Sequence, residues 1–232
     1  MSKALAVIPA RGGSKRIPRK NIKDFLGKPV IAYSIQAALD SGLFAEVMVS
    51  TDDAEIAEVA KKYGANVPFL RSSENSNDSA GTADVLIEVI NSYKNLGKTF
   101  SKTCCIYPVA PLISVETLKA AYDLLEVNQL DNSFPVCEFS NSIWRALKMG
   151  DRNRVEMIWP ENENKRTQDL PPSFHDVGQF YWLDTKKFID SGEFFTEATG
   201  SIVLDELHSQ DIDTPMDWKM AEIKYKIIND LL

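Results

Sequence analysis

Cysteine is scarce in this chain of 232 residues: there are three, Cys104, Cys105 and Cys137, each inside an apolar run. An odd number of such thiols argues against a disulfide framework, and no Cys/His spacing suits a structural metal. Histidine is scarcer, with only His175 and His208. No G-x-S-x-G elbow accompanies them, so a Ser-His-Asp hydrolase has no foothold. No stretch approaches the roughly 18 apolar residues of a membrane helix. The start carries one lysine, a five-residue apolar run and Pro-Ala-Arg, which is not a signal-peptide pattern. A cytoplasmic protein away from membranes is expected.

Basic charge is also lacking, except in one place. The formal net charge is −7. Arg11, Lys15, Arg16, Arg19, Lys20 and Lys23 crowd into thirteen residues, and no acid precedes Asp24. Without those six, 20 basic residues face 33 acidic ones and the balance is −13. A broad basic footprint for nucleic acid is missing; a small anionic ligand is the better partner. The cationic stretch follows Ala4-Leu-Ala-Val-Ile8, a short buried strand, and contains the pair Gly12-Gly13. A strand opening into a glycine turn with cations is a way to hold a polyphosphate, with backbone N–H groups pointing inward. Neither the Walker spacing nor G-x-G-x-x-G is present. Arg11 and Ser14 flank the glycines and are placed to reach a phosphate; Asn21 is placed to fix a base or ribose edge.

The rest alternates. Helices are expected over 30–40, 54–63, 82–95 and 114–126, and strands over 4–8, 47–49, 66–70 and 102–107. Ser114 reads as an N-cap. This is βαβ spacing, which implies a mostly parallel sheet with helices on both faces. The pattern breaks after Asn132. Ser133–Cys137 is expected as a strand. Ile143–Lys148 and Val155–Trp159 flank Gly150-Asp151 as a hairpin with exposed Trp144 and Trp159. Residues 160–176 read as a long loop, Gln179–Leu183 and Ile202–Leu204 as strands, and Pro215–Leu231 as a helix. The whole is expected as one domain, with 138–170 inserted as a dimerisation arm or lid; the alternative is a hairpin packed on its own subunit.

Asp211-Ile212-Asp213 is a metal candidate. Carboxylates at i and i+2 of an extended segment face one way, and a pair of them suits Mg²⁺, which completes its shell with substrate phosphates. The competing explanation is helix capping, which accounts for Thr214, Pro215 and Asp217 but not for the two acids. Ser50–Asp53 ends a strand, where open α/β sheets bind ligands, and is equally an N-cap with acids in the first turn. Arg71 is either a ligand contact or a surface charge. His175-Asp-Val-Gly-Gln179 is either a sugar-reading turn or a plain junction.

Taken together, these residues resemble the cytidylyltransferases that activate nonulosonic, sialic-acid-like sugars. Ile8-Pro-Ala-Arg-Gly-Gly-Ser-Lys15 with Lys20-Asn21 is similar to that family's nucleotide motif. Val49-Ser-Thr-Asp52, Phe69-Leu-Arg71, Pro108-Val-Ala-Pro-Leu112 and Asp211-Ile-Asp-Thr214 agree in order and spacing. The resemblance implies a three-layer Rossmann-like sheet of the nucleotide-diphospho-sugar transferase type and a homodimer exchanging the arm. It implies CTP contacts from Arg11, Gly12, Gly13, Ser14, Lys20 and Asn21, with Arg71 and Thr82 near cytosine and ribose. It implies Mg²⁺ on Asp211 and Asp213, with Arg11, Lys20 and those acids carrying catalysis.

Tyr107 and Val177-Gly-Gln-Phe-Tyr181 depart from the N-acetylneuraminate enzymes. Arg166–Pro171 with His175–Trp182 is instead similar to pseudaminic acid cytidylyltransferases. Arg166, Gln168, His175, Gln179 and Phe180 are therefore the sugar-side candidates. The implied reaction condenses CTP with the acid sugar to a CMP-sugar and pyrophosphate, for surface glycans or flagellin. Neuraminate, legionaminate or Kdo as substrate, and a non-catalytic nucleotide binder, stay as alternatives. The general base is left between Asp211 and a metal-bound hydroxide.

Overall fold

The computed structural model describes residues 4–14, 16–77 and 80–231. Lys15 of the cationic stretch lies outside them. The first strand, β1 (Ala4–Pro9), is buried along almost its whole length. Its alternate residues face two different cores, Ala4, Ala6 and Ile8 toward one and Leu5 and Val7 toward the other. A strand buried on both faces reads as a continuous apolar run, which is why period-two alternation is absent there.

On one side β1 pairs in parallel with β4 (Phe44–Ser50), on the other with β5 (Lys102–Ile106). Next come β10 (Phe180–Asp184), antiparallel to β5, then β6 (Asn132–Glu138) and β11 (Thr199–Leu204). The order is β11-β6-β10-β5-β1-β4, with β9 (Phe174–Asp176) beside β6. Five strands of the seven run one way; β9 and β10 run against them. The mostly parallel three-layer sheet is therefore as expected.

Helices cover both faces. α1 (Ile31–Ser41), α2 (Ala54–Lys62) and α4 (Val115–Val127) pack on the Ala6/Ile8 side. α3 (Thr82–Asn95) and α5 (Thr185–Ser191) pack on the Leu5/Val7 side. Their ends follow local chemistry. Gly42 closes α1 at φ 67°. Asp53 caps α2 through the Ile56 amide and Ser114 caps α4 through the Thr117 amide. The last helix, α6 (Pro215–Ile228), starts with a reciprocal box of Thr214 and Asp217 behind Pro215. It buries Trp218 and Ala221 in a third, smaller core with Ile17, Phe25, Val30 and Ile212. Phe25 sits on the short ribbon of β2 (Asp24–Phe25) and β3 (Lys28–Pro29).

Four expectations need correction. Residues 66–70 form no strand: Asn66 bridges β4 and the pairing ends there, because Pro68 has no N–H to donate. The stretch 160–176 is not all loop, since its end is β9. The helix α5 was not anticipated. The hairpin exists as β7 (Leu147–Met149) and β8 (Val155–Met157), separate from the main sheet. Trp144 and Trp159 are half-buried against each other at 5.4 Å rather than exposed. All three cysteines are buried free thiols. Among the described residues no helix is long and apolar enough to cross a membrane.

Candidate active site

β1 and β5 both end at one rim of the sheet, where α/β proteins hold their ligands. A cavity of about 790 Å³ opens there, a volume in the range of small-molecule sites. From the loop after β1 it takes Arg11, Gly13, Ser14, Arg16, Lys20 and Asn21. The segment after β5 adds Tyr107, Pro108 and Val109. Asp176 comes from the end of β9, Gly178 from the turn after it and Tyr181 from β10, and Asp211 and Ile212 from the approach to α6.

The glycine loop is held by specific bonds. Gly12 donates its N–H to Asp52 Oδ1 at 3.0 Å. Asn21 Nδ2 donates to the Arg11 carbonyl at 2.9 Å, closing the loop on itself. A Cβ on Gly12 would stand 2.7 Å from Asp53 Oδ2 and 3.1 Å from Asp53 Cβ, so any larger residue there forces Asp53 or the loop to shift. Gly13 has open space around it. The cations then divide. Arg11, Arg16 and Lys20 face the cavity. Arg19 turns to Asp53 and Glu55, at φ 53°. This pairing raises the Arg19 pKa and holds the Asp53 carboxyl down at about 2. Lys23 lies over the Trp218 ring at 4.5 Å.

The two halves of the site meet directly, although they lie far apart in sequence. Arg16 pairs with Asp213 Oδ1 at 2.7 Å, and Lys20 Nζ lies 3.4 Å from the same oxygen. Lys20 also donates to the Ile212 carbonyl. Ile212 is buried between its two acids in the third core. The segment before Asp211 is gripped from two sides. Gln179 Nε2 donates to the His208 carbonyl at 2.7 Å, and Lys224 Nζ to the carbonyls of Glu206 and Ser209 at 2.8 and 2.7 Å.

Arg71 and Thr82 stand just behind this lining. Arg71 is buried, not a surface charge; it donates to Ser50 Oγ at 3.1 Å and to the Ser50 carbonyl at 2.5 Å. Burial lowers its pKa, opposed by Asp52 and Glu88. Thr82 opens α3 and hydrogen-bonds the Tyr107 phenol, whose pKa burial pushes up to about 12.

The sugar-side candidates scatter. Arg166 and Gln168 are exposed and outside the cavity, Arg166 pairing with Asp169. Phe180 is wholly buried in the first core. Gln179 is also buried, with Oε1 unpartnered. His175 lies against Phe139 at 4.9 Å, beside a smaller cavity of about 250 Å³ that shares Asp211. The residues that line the main cavity instead are Tyr107, Asp176 and Tyr181. Alternation along β10 held the signal: with Phe180 and Trp182 in one core, Tyr181 must face the other way. Asp176 accepts from Tyr181 and from the Gly178 N–H. Burial, then Asp211, raises its pKa against the Gly178 bond.

Among the described residues no group of three or more His, Cys, Asp or Glu side chains could hold a metal unaided. Asp211 and Asp213, separated by one buried residue, are a two-carboxylate donor set of the kind a hard cation completes with ligand oxygens. The residues present therefore fit Mg²⁺ arriving with a phosphate ligand.

Comparison with known proteins places the chain. The family model described as Cytidylyltransferase matches residues 5–193. The pseudaminic acid cytidylyltransferase of Campylobacter jejuni is 43% identical over 225 residues, 97% of either chain. The CMP-N,N′-diacetyllegionaminic acid synthase of Legionella pneumophila is 33% identical over 94% of each. A CMP:2-keto-3-deoxy-manno-octonic acid synthetase solved with CTP superposes with a TM-score of 0.71 at 18% identity, over 99% of this chain and 100% of that one, which establishes the shared fold. With the cationic loop and the acidic segment on one cavity of that fold, the chain belongs to the nonulosonic acid cytidylyltransferase family.

Proposed function

We propose that the protein condenses CTP with pseudaminic acid, giving CMP-pseudaminic acid and pyrophosphate, in the cytoplasm and as a homodimer. The observation that carries this reading is the contact of the cationic loop with the acidic segment: Lys20 and Arg16 both reach Asp213 at the edge of one cavity. The 43% identity to a pseudaminic acid enzyme over nearly the full chain supports the choice of sugar.

The anomeric hydroxyl attacks the α-phosphorus of CTP; the new O–P bond forms as the bond to the β-phosphate oxygen breaks. Most of the protein's work is positioning and charge neutralisation. Arg11, Ser14 and Lys20 hold the phosphates, and the tight Gly12-Gly13 backbone shapes their seat, the Gly12 N–H being committed to Asp52. Phosphate oxygens compete with Asp213 for Arg16 and Lys20, so nucleotide binding frees the carboxylate. Asp211 and Asp213 would hold Mg²⁺, which when bound offsets phosphate charge and acidifies the attacking hydroxyl. Asp211, the member of the pair that lines the cavity, takes up the proton. Arg71 and Thr82 support the nucleoside end from behind Ser50 and Tyr107.

The exposed apolar residues of the hairpin, Leu147, Met149, Val155 and Ile158, support its use as the dimer arm. The deciding experiment is pyrophosphate release from CTP and Mg²⁺ with pseudaminic, legionaminic, N-acetylneuraminic and 2-keto-3-deoxy-octonic acids in turn. Release with pseudaminic acid is expected. Release only with another acid overturns the choice of sugar, and none with any of them favours a nucleotide binder.

A further inference from the structure

The cavity that carries the cationic loop also carries an acid no part of the reaction requires. Asp176 lines it with Asp211, yet belongs to a different segment, the end of β9. Its carboxylate is fixed twice. Oδ1 accepts the Gly178 N–H at 2.8 Å, and Oδ2 accepts the Tyr181 hydroxyl. Gly178 sits at φ +64°, a left-handed geometry that suits glycine, and Val177 is buried, so the turn is anchored on both sides. Tyr181 is held edge-on by Tyr107 at 5.9 Å. A Cβ added at Gly178 would stand 3.9 Å from Asp211 Oδ1, so the turn passes close to the acidic segment.

Two oxygens with one internal donor each keep acceptor capacity for a ligand. A carboxylate at this position disfavours the carboxylate of an acid sugar beside it and pairs instead with N–H or O–H donors. We propose that Asp176, braced by Tyr181, is a specificity-determining residue that accepts a hydrogen bond from an acylamino N–H of the sugar. This deepens the substrate reading above and rests on it.

The test is steady-state kinetics of wild type, Asp176→Asn and Tyr181→Phe with the accepted acylamino sugar and with 2-keto-3-deoxy-octonic acid. Asparagine retains an acceptor for the turn while removing the charge. For Asp176→Asn we expect the KM for the acylamino sugar to rise about tenfold to hundredfold, the cost of a lost charged hydrogen bond. The KM values for CTP and Mg²⁺ stay within about twofold of wild type, and the preference for the acylamino sugar falls by the same factor as its KM rises. Tyr181→Phe, which leaves the carboxylate but loosens it, shifts the same constant in the same direction by less, and it decides the matter if Asp176→Asn does not fold. An unchanged sugar KM overturns the proposal. So does a change confined to the Mg²⁺ dependence, which would make Asp176 a metal ligand. Wild type that is inactive with every acylamino sugar but active with another acid overturns the substrate reading instead, a separate result.

Discussion

Gly12→Ala puts the loop geometry to a quantitative test. The new Cβ would stand 2.7 Å from Asp53 Oδ2 and 3.1 Å from Asp53 Cβ. Rotating the Asp53 side chain clears only the first contact, because the second is to an atom fixed on the backbone. The loop must therefore retreat by several tenths of an ångström, or Asp53 must release its bonds. Those bonds cap α2 through Ile56 and pair with Arg19. A lost N-cap costs about 1 kcal/mol, and an exposed ion pair adds at most about 1 kcal/mol after solvent screening. A loss of about 1–2 kcal/mol lowers the Tm of a chain this size by roughly 2–8 °C. Activity is more sensitive, since a misplacement of about 1 Å can cost on the order of 10² in rate; kcat/KM should fall about tenfold to hundredfold. Asp53→Gly removes both obstructing atoms and leaves a residue that caps helices adequately. The double variant should recover most of the lost kcat/KM, and the two stability effects should not add. Thermal unfolding and pyrophosphate release on all four proteins give the answer. A double variant as impaired as Gly12→Ala alone would refute the steric argument.

Arg11→Ala and Asp213→Ala should each lower kcat/KM by on the order of 10²–10³ with a Tm within a few degrees of wild type; near-native turnover in either purified protein contradicts the assigned roles. Asp53 is held at about 2, chiefly by its hydrogen bond to Arg19. A depressed carboxyl stabilises fully above its ordinary value near 4 and loses that contribution as pH falls through about 2. The pair is half-exposed and screened by solvent, so Asp53→Asn should reduce the loss of urea stability between about pH 4 and 2 by less than about 1 kcal/mol, and an unaltered slope would show that the pair contributes nothing. If the hairpin is the arm of the proposed dimer, Met149→Asp combined with Val155→Asp should give a monomer in sedimentation velocity at micromolar concentration where the wild type sediments as a dimer; the same sedimentation coefficient for both proteins removes the hairpin from any interface.

Much of the fold was legible because its signals are local. Ser114, the Thr214-Pro215-Asp217 group and Gly42 mark helix ends by their own hydrogen-bonding and backbone chemistry, and the structure uses each of them so. β1 and β5 read as unbroken apolar runs because helices cover both of their faces. What failed was non-local or marginal. Asn66–Leu70 has strand-like residues, but Pro68 ends the ladder after one bridge. α5 is a seven-residue helix whose one large fully buried side chain is Phe188, too little periodicity to announce itself. β9 exists because β6 offers it an edge, which its own three residues do not encode.

The site shows the same division at finer grain. Cation density identified the loop, but density does not say which way each side chain turns. Arg19 and Lys23 are drawn off by Asp53, Glu55 and Trp218, partners on α2 and α6 that no local reading could supply. The loop and the acidic segment are joined by packing as well as charge. Ile17 follows the glycines, Ile212 separates the two acids, and both enter the small core organised by Phe25 and Trp218. Moving either isoleucine disturbs both halves, so the separation of Lys20 from Asp213 is set by apolar contacts and not by the charges alone. The ion pairs, being half-exposed, are the part free to exchange. The proposed exchange of an internal carboxylate for a ligand phosphate calls for this arrangement: a backbone positioned by burial, and charges that are cheap to part.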